Sequence, residues 1–312
     1  MPLNNEPLIS LLLILDIWHI MQAKLTEQDI QLIIDSYNNG KRQSDIAEQF
    51  NYSQTGISSI LKRKKIQTRV GKYTDINNIF FKEINCEESA YFLGLLYADG
   101  CVQIKNSAYT VSLKLKSDDQ YIIEKFRDIM SPSSPIKISY AKYSYFRINQ
   151  KKICEQLISH GCVPNKSLIL NFPTTVPAHL MRHFIRGYSD GDGTIYNNNV
   201  SASGKQYINT IWKIVSTGKF CKEVAFILNK ELNINCSQSL SNDNGITTTL
   251  SVGGNKQVKK VLDWMYEDCA IYLPRKYNKY QEFIKRVSLA LLQKKLRKIN
   301  GAYSFSPDIA AY

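Results

Sequence analysis

The chain has 312 residues, of which 44% are hydrophobic and 11% aromatic, so it can bury a sizeable core and does not belong to the disordered class. Lys and Arg outnumber Asp and Glu by 40 to 27, and the resulting net charge of +13 indicates a polyanionic partner, nucleic acid before an acidic membrane surface. No apolar run is long enough to span a bilayer, and the seven cysteines show no zinc-ligand spacing or disulfide framework, so we expect an intracellular, reducing compartment and not secretion.

Residues 1–24 contain an apolar stretch from Leu8 to Leu15 but lack the basic start and the small-residue cleavage site of a signal peptide. Met21 stands just ahead of the first well-patterned helix. We therefore interpret residues 1–24 as a leader of uncertain role that the working protein need not carry.

Apolar residues at helical spacing predict three short helices between residues 25 and 67. Thr26 with Asp29 predicts a capping box at the first helix, and Ser53 predicts the cap of the third. The outward side of the third helix begins with short polar residues and ends with cations: Gln54, Thr55, Ser58, Lys62 and Arg63. This pattern resembles a helix-turn-helix, in which such residues contact base edges and phosphates, although a small packing module with a solvated face would share it. Residues 68–84 then predict a basic linker.

From residue 85 onward the order α-β-β-α-β-β-α occurs twice, over residues 85–172 and 173–290, and residues 291–312 form a tail. We therefore expect an α+β fold of two pseudosymmetric αββαββα halves, joined to a small all-α module at the N-terminus.

Each half opens with an apolar segment that ends on Asp-Gly, "YFLGLLYADG" at 91–100 and "HFIRGYSDGDG" at 183–193. Small residues four positions apart let two helices approach closely, so we expect a helix interface at Gly94, Ala98, Gly187 and Gly191. Gly100 and Gly193 are expected to end the helices in the left-handed conformation.

The interface would bring Asp99 and Asp192 together at two helix C-termini, where the macrodipole already disfavours negative charge. A single Asp-Gly is most simply a helix stop with a solvated carboxylate. Two matched copies favour a site for hard divalent cations, which bind carboxylate oxygen and stabilise phosphodiester cleavage.

The segments "FLGLLYADG" and "FIRGYSDGDG" resemble the paired signature of the LAGLIDADG homing endonucleases, in the single-chain form with two copies. The resemblance covers residues 85–290. It implies a saddle of two sheets that straddles DNA, double-strand cleavage in the homing of introns or other mobile genetic elements, and Mg²⁺, replaceable by Mn²⁺, bound by Asp99 and Asp192. Asp190 matches an earlier motif acid, whereas Tyr97 stands at that position in the first half, and neither is assigned a metal role.

The resemblance also implies a lysine near each metal, where it polarises water and offsets phosphate charge. Lys166 in "GCVPNKSLIL" and Lys276 in "YLPRKYNKY" fit best, with Arg275 and Lys279 as rivals of Lys276. Each could instead be a backbone contact or a solvated lysine.

Counting alternate residues from each motif aspartate assigns the faces of the strand that follows it, and alternation within each later strand assigns the others. The polar face carries Gln103, Lys105, Ser112, Lys114, Tyr143, Tyr145 and Arg147 in the first half and Thr194, Tyr196, Asn198, Thr247 and Thr249 in the second. Val102, Ile104 and Ile195 fall on the opposite face, towards a core. The polar set suits major-groove edges and phosphates, although an ordinary half-solvated sheet alternates in the same way.

Three functions remain open: a Mg²⁺-dependent, site-specific DNA endonuclease, a catalytically silent DNA-binding regulator, and a maturase that assists splicing of an intron RNA. The presence of both motif acids favours the endonuclease. We expect a monomer with double-stranded DNA as its partner, intron RNA as an alternative partner, and no membrane.

Overall fold

The computed structural model describes residues 25–66, 75–139, 142–202, 204–241 and 246–299. The chain divides into two compact units, residues 1–72 and 73–312, and each has its own apolar core. The leader, residues 1–24, and the final part of the tail, residues 300–312, lie outside the described residues. Within the described part, no helix is both long and apolar enough to cross a membrane.

The N-terminal unit consists of three helices, α1 (Glu27–Asn38), α2 (Gln43–Gln49) and α3 (Gln54–Arg63). The predicted capping box is present, because the Asp29 amide donates to Thr26 Oγ1 at 3.1 Å and the Thr26 amide donates to Asp29 Oδ2 at 2.9 Å. Ser53 Oγ accepts the Gly56 amide at 3.0 Å and so caps α3. Apolar residues of all three helices, among them Ile33, form the core of this unit.

The second unit contains the predicted repeat. Its first half comprises α4 (Glu87–Ala98), β1 (Gly100–Lys105), β2 (Ala108–Lys116), α5 (Gln120–Met130), β3 (Lys137–Ser139), β4 (Tyr143–Ile148) and α6 (Lys151–Ser159). Its second half comprises α7 (Met181–Asp192), β5 (Gly193–Ala202), β6 (Lys205–Ser216), α8 (Gly218–Leu232), β7 (Ser237–Leu240), β8 (Thr248–Gly253) and α9 (Asn255–Tyr266), and α10 (Pro274–Ile299) follows.

The two sheets have the same topology, with strand orders β1-β2-β4-β3 and β5-β6-β8-β7, and all their pairs are antiparallel. The motif glycines occupy equivalent register positions, since Gly100 lies opposite Leu113 and Gly193 lies opposite Ile214. The predicted α+β fold with two pseudosymmetric halves is thereby confirmed.

The expected linker is too long, because part of it belongs to the core. Phe81 is fully buried and Ile84 nearly so, and the Asp75 carboxylate accepts hydrogen bonds from Ser131 and Ser133. The expected boundary at residue 290 also falls inside a helix, since α10 continues to Ile299.

Helices α4 and α7 cross at the centre of the second unit with their backbones in contact. A Cβ atom added at Gly94 would collide with the carbonyl oxygen of Phe184, and one added at Gly187 would collide with that of Tyr91. Helix α4 is buried on every side from Ser89 to Tyr97, which explains why its sequence is apolar all round.

The expectation for the glycines that follow each motif aspartate is wrong. Gly193 has φ of −84°, and Gly100 is not among the residues with positive φ. A Cβ atom at Gly100 would instead press on Leu96, and one at Gly193 would press on Ser189. These positions need glycine because the strand leaves the helix too tightly for a side chain, and not because of an unusual backbone angle.

Candidate active site and nucleic-acid interface

The two motif aspartates emerge at the same end of the helix crossing. Asp99 is the C-cap of α4, and Asp192 is the last residue of α7. A Cβ atom at Gly191 would lie 2.5 Å from Ala98 Cβ and 2.8 Å from Asp99 Oδ2, so the Asp99 carboxylate lies directly against the last turn of α7. The small residues of the interface therefore bring the two carboxylates together.

The surroundings of both carboxylates disfavour negative charge. Desolvation, followed by repulsion from Asp192, raises the pKa of Asp99 to about 6, although Arg275 and Lys166 oppose this rise. Asp192 keeps an exposed surface, yet desolvation still raises its pKa against the opposing charges of Lys166 and Lys276. Two adjacent acids with raised pKa values lower the stability of the fold at neutral pH, which is typical of a functional site.

The lysines expected near the acids occupy equivalent places in the two halves. Lys166 Nζ donates to the carbonyl oxygen of Gly100 at 2.5 Å, and Lys276 Nζ donates to the carbonyl oxygen of Gly193. Both side chains are nearly inaccessible, at 8% and 6% exposure. Each lysine is thus fixed at the residue that follows the motif aspartate of its own half.

The rivals of Lys276 have other partners. Lys279 Nζ donates to the carbonyl of Ile195 at 3.3 Å, and Arg275 forms an ion pair with Asp119. Desolvation, followed by repulsion from Arg275, lowers the pKa of Lys276 to about 8. Of the three cations, Lys276 is therefore the one that matches Lys166.

The residues at the earlier motif position are enclosed by protein. Asp190 is fully buried and accepts hydrogen bonds from the hydroxyls of Tyr91 and Tyr266 and from the amide of Leu273. Tyr97 donates to the carbonyl of His160 at 2.5 Å.

The protein donors at the crossing leave most ligand positions of a hard cation to water or phosphate. Among the described residues, no group of three or more His, Cys, Asp or Glu side chains could hold a metal ion. Two carboxylates, Asp99 and Asp192, are available. This donor set fits Mg²⁺, which keeps several water ligands and takes one or two carboxylates together with phosphate oxygens.

The first sheet presents the expected polar face. Its rows follow the register, in which Ser112 lies opposite Arg147 and Lys114 lies opposite Tyr145. Gln103, Lys105, Lys114, Tyr143 and Arg147 are exposed, and Ser112 and Tyr145 are half-buried. Lys114 Nζ lies 4.7 Å from the ring centre of Tyr143, so a cation and an aromatic ring share this surface.

The second sheet has a similar face with less charge. Tyr196 and Asn198 are exposed, while Thr194, Thr247 and Thr249 are half-buried. Lys213 lies between Thr194 and Ser251 in the register, and its Nζ is 5.5 Å from the ring centre of Tyr196.

Of the three apolar strand residues that were predicted to face a core, two are buried and one, at the tip of a hairpin, is exposed. Val102 and Ile195 are buried as predicted, whereas Ile104 is 46% exposed. Ile104 pairs with Tyr109 at the end of the β1–β2 hairpin, where strand alternation continues but the covering core does not. The prediction that Ile104 faces a core is therefore wrong.

The N-terminal unit presents its candidate residues on one side of α3. Gln54, Thr55, Lys62 and Arg63 are exposed, and Ser58 is half-buried, while Ile57, Ile60 and Leu61 fill the core. A short turn joins α2 to α3 and contains Asn51 in the left-handed conformation, with φ of 47°.

The chain is similar to known proteins in its fold but not in its sequence. No protein-family model and no curated protein sequence matches the chain. Among solved structures, the LAGLIDADG meganuclease I-AabMI bound to uncleaved DNA is similar, with 14% identity, a TM-score of 0.50, and coverage of 69% of this chain and 98% of that chain. The I-SmaMI LAGLIDADG homing endonuclease bound to cleaved DNA has 14% identity and a TM-score of 0.50, with coverage of 66% and 90%.

The chain has the LAGLIDADG homing endonuclease fold. It has this fold in the single-chain form, with α4 and α7 as the paired motif helices.

Sequence analysis missed several polar residues on the two faces of this LAGLIDADG fold. Lys137 on β3 pairs with Tyr145, and Ser139 pairs with Tyr143, so both extend the first polar face. Lys213 on β6 and Ser237 on β7 extend the second. Their alternation is visible in the sequence, but their place beside the other polar residues follows from strand pairing across long separations.

Proposed function

We propose that the chain is a sequence-specific, Mg²⁺-dependent endonuclease of the homing type that cuts both strands of double-stranded DNA. One observation carries this proposal. Each half ends its motif helix in an acid, Asp99 or Asp192, and brings a buried lysine, Lys166 or Lys276, to the carbonyl of the following glycine. Each half therefore contributes one acid and one lysine, as expected for an enzyme that makes two cuts, one in each DNA strand.

Asp99 and Asp192 would hold Mg²⁺, with Mn²⁺ as a substitute. A bound Mg²⁺ would neutralise charge that develops on the scissile phosphate. The lysines add fixed positive charge in a site that is largely desolvated, where it counts for more than in water. At neutral pH Lys276 remains mostly protonated, because its pKa is lowered only to about 8.

The polar faces of the two sheets would bind the duplex. Lysine, arginine, tyrosine and threonine side chains contact base edges and phosphates, and the excess of cations on the first face suits the DNA backbone. The two solved structures with the same fold contain DNA, uncleaved in I-AabMI and cleaved in I-SmaMI. Because both motifs lie in one chain, a monomer would contain both cleavage sites.

The N-terminal unit would add DNA contacts as a helix-turn-helix. Deleting residues 1–72 removes Lys62, Arg63 and the neighbouring cations, so binding should weaken and depend less steeply on salt, while the core still cuts at the same bonds. Footprints of the full-length and shortened proteins would measure this, with protection expected to disappear on one flank only. An unchanged footprint and salt dependence would leave the unit as a packing module, and a shift of the cut would show that the unit determines the site.

The endonuclease itself is tested by incubating the full-length protein with a library of random duplex sequences and Mg²⁺, and sequencing the new ends. We expect a recurrent double-strand cut that needs a divalent ion and disappears in EDTA. Selective duplex binding without a cut would instead favour a silent regulator, and preference for a structured intron RNA would favour a maturase.

A further inference from the structure

The polar faces of the two sheets differ in charge. Among the described residues, the first face carries five exposed cations, with at least one on each strand: Lys105, Lys114, Lys116, Lys137 and Arg147. They lie on one side of the sheet, because the register aligns Lys114 with Tyr145 and Tyr145 with Lys137, and the others follow by alternation. No described residue in these rows is an aspartate or glutamate, so no acid of the face itself neutralises the cations.

The second face is mainly neutral and contains aliphatic side chains. Lys213 is its one cation among the side chains that the structure describes, and Lys205 has the register position of another at the tip of the β5–β6 hairpin. Three half-buried aliphatic residues share this face with the polar ones: Val200, Ile211 and Val215. The described rows of the first face contain no Val, Leu or Ile.

The inner strands of each sheet are the ones best placed to reach base edges. The major groove is about 12 Å wide and strands lie about 4.8 Å apart, so a pair of strands fills the floor of the groove while the outer strands meet the phosphates. In the first sheet the inner strands β2 and β4 carry Lys114 and Arg147. In the second sheet the inner strand β6 carries Ile211 and Lys213. Ile211 lies opposite Gly253 on β8, which has no side chain to cover it.

The side chains of the two faces suit different base pairs. Lysine and arginine donate to the O6 and N7 atoms of guanine, whereas an aliphatic side chain contacts the methyl group of thymine. We propose that the chain recognises an asymmetric DNA target, in which the half bound by the first sheet is richer in G·C pairs and the half bound by the second sheet is richer in A·T pairs. This inference rests on the proposed function. The two halves of the fold then read different sequences although they share one topology.

The test selects the target by binding and then changes single groups of atoms in it. The full-length wild type selects duplexes from a random library in Ca²⁺, and the selected target is resynthesised, one position at a time, with 7-deazaguanine, which lacks N7, or deoxyuridine, which lacks the thymine methyl. Loss of N7 at the guanine that Arg147 contacts should weaken wild-type binding about 10-fold and have no further effect on Arg147→Ala. Loss of the methyl group that Ile211 contacts should weaken wild-type binding about 5-fold and have no further effect on Ile211→Ala.

Lys125→Ala is the matched control. Lys125 is exposed on α5, which packs on the opposite face of the first sheet, since the ring centre of Phe126 lies 5.7 Å from that of Phe146. This variant should respond to every base change as the wild type does. Target halves of equal composition, a reversed assignment, or equal weakening of all sequences by Arg147→Ala, as loss of a phosphate contact gives, would each overturn the inference and leave the proposed function in place. Failure of the wild type to select any duplex would refute the proposed function and this inference with it.

Discussion

The two halves of the second unit hold their lysines in the same place by different chemistry. In the first half, Tyr97 donates to the carbonyl of His160, and the His160 ring bonds to the Phe81 carbonyl and to Thr175, so these contacts to the segment before Lys166 involve no carboxylate. In the second half, carboxylates hold the segment before Lys276.

Two carboxylates, the buried Asp190 and the half-buried Glu87, hold the segment before Lys276. Asp190 accepts the Leu273 amide at 2.7 Å, and Glu87 Oε1 accepts the amides of Ala270 and Ile271 at 2.8 Å and 3.2 Å. Arg186, which is fully buried, donates to the same Glu87 oxygen at 2.6 Å. The comparison teaches that the position of the lysine, and not the residue that anchors its segment, is what the two halves share.

The helix crossing is common to both halves, so damage there should be the most severe. Gly94→Leu and Gly187→Leu each push a side chain into the backbone of the opposite helix, which cannot move aside, and we expect a loss of more than about 3 kcal/mol in unfolding free energy. Urea unfolding measures it. Gly253→Leu is the control, because a Cβ atom there meets nothing closer than 3.9 Å. Equal stability of all three variants would contradict a shared interface.

The hydrogen bonds that hold the segment before each lysine should contribute different free energies of unfolding in the two halves. Asp190→Ala leaves two buried tyrosine hydroxyls and the Leu273 amide without their acceptor and should cost about 3 kcal/mol, whereas Tyr97→Phe removes one neutral donor and should cost about 1 kcal/mol. Hydrogen exchange supplies a local measurement, since the Leu273 amide should exchange faster in Asp190→Ala alone. A larger loss in Tyr97→Phe than in Asp190→Ala would reverse the comparison.

The acid pair should lower the stability of the metal-free protein. The folded pKa of Asp99, about 6, lies above its ordinary value of 3.8, so the ionised group weakens the fold above pH 6, and the penalty fades as the pH falls towards 4. Asp99→Asn should therefore stabilise the protein in EDTA by on the order of 1–2 kcal/mol at pH 7.5 and by little at pH 4.5. Thermal unfolding at the two pH values checks this, and a destabilised variant at pH 7.5 would show that the carboxylate supports the fold.

Much of the site could be predicted because its signals are local. Small residues four apart specify the close crossing of α4 and α7, and the Asp-Gly pair marks where each helix ends. The structure brings Asp99 against α7 at Gly191, as this spacing requires.

The remaining features depend on contacts between distant segments. Three cations lie within about one turn of α10, and their different directions around the helix axis give them different partners. Arg275 pairs with Asp119, Lys276 bonds to Gly193, and Lys279 bonds to Ile195. The sequence does indicate the helix itself, because Pro274 is suited to a first helical position and the apolar residues Tyr280, Phe283 and Val287 follow at helical spacing. Partners of these cations lie in strands and turns that sequence spacing does not reveal.

The central claim is that Asp99 and Asp192 are both required to cut DNA while neither is required to bind it. The most direct measurement is single-turnover cleavage of the selected target in Mg²⁺ by Asp99→Asn and Asp192→Asn, together with their target affinity in Ca²⁺. We predict that each variant loses detectable double-strand cleavage and keeps an affinity close to that of the wild type, because the sheet faces are unchanged. Double-strand cleavage at close to the wild-type rate by either variant would contradict the account.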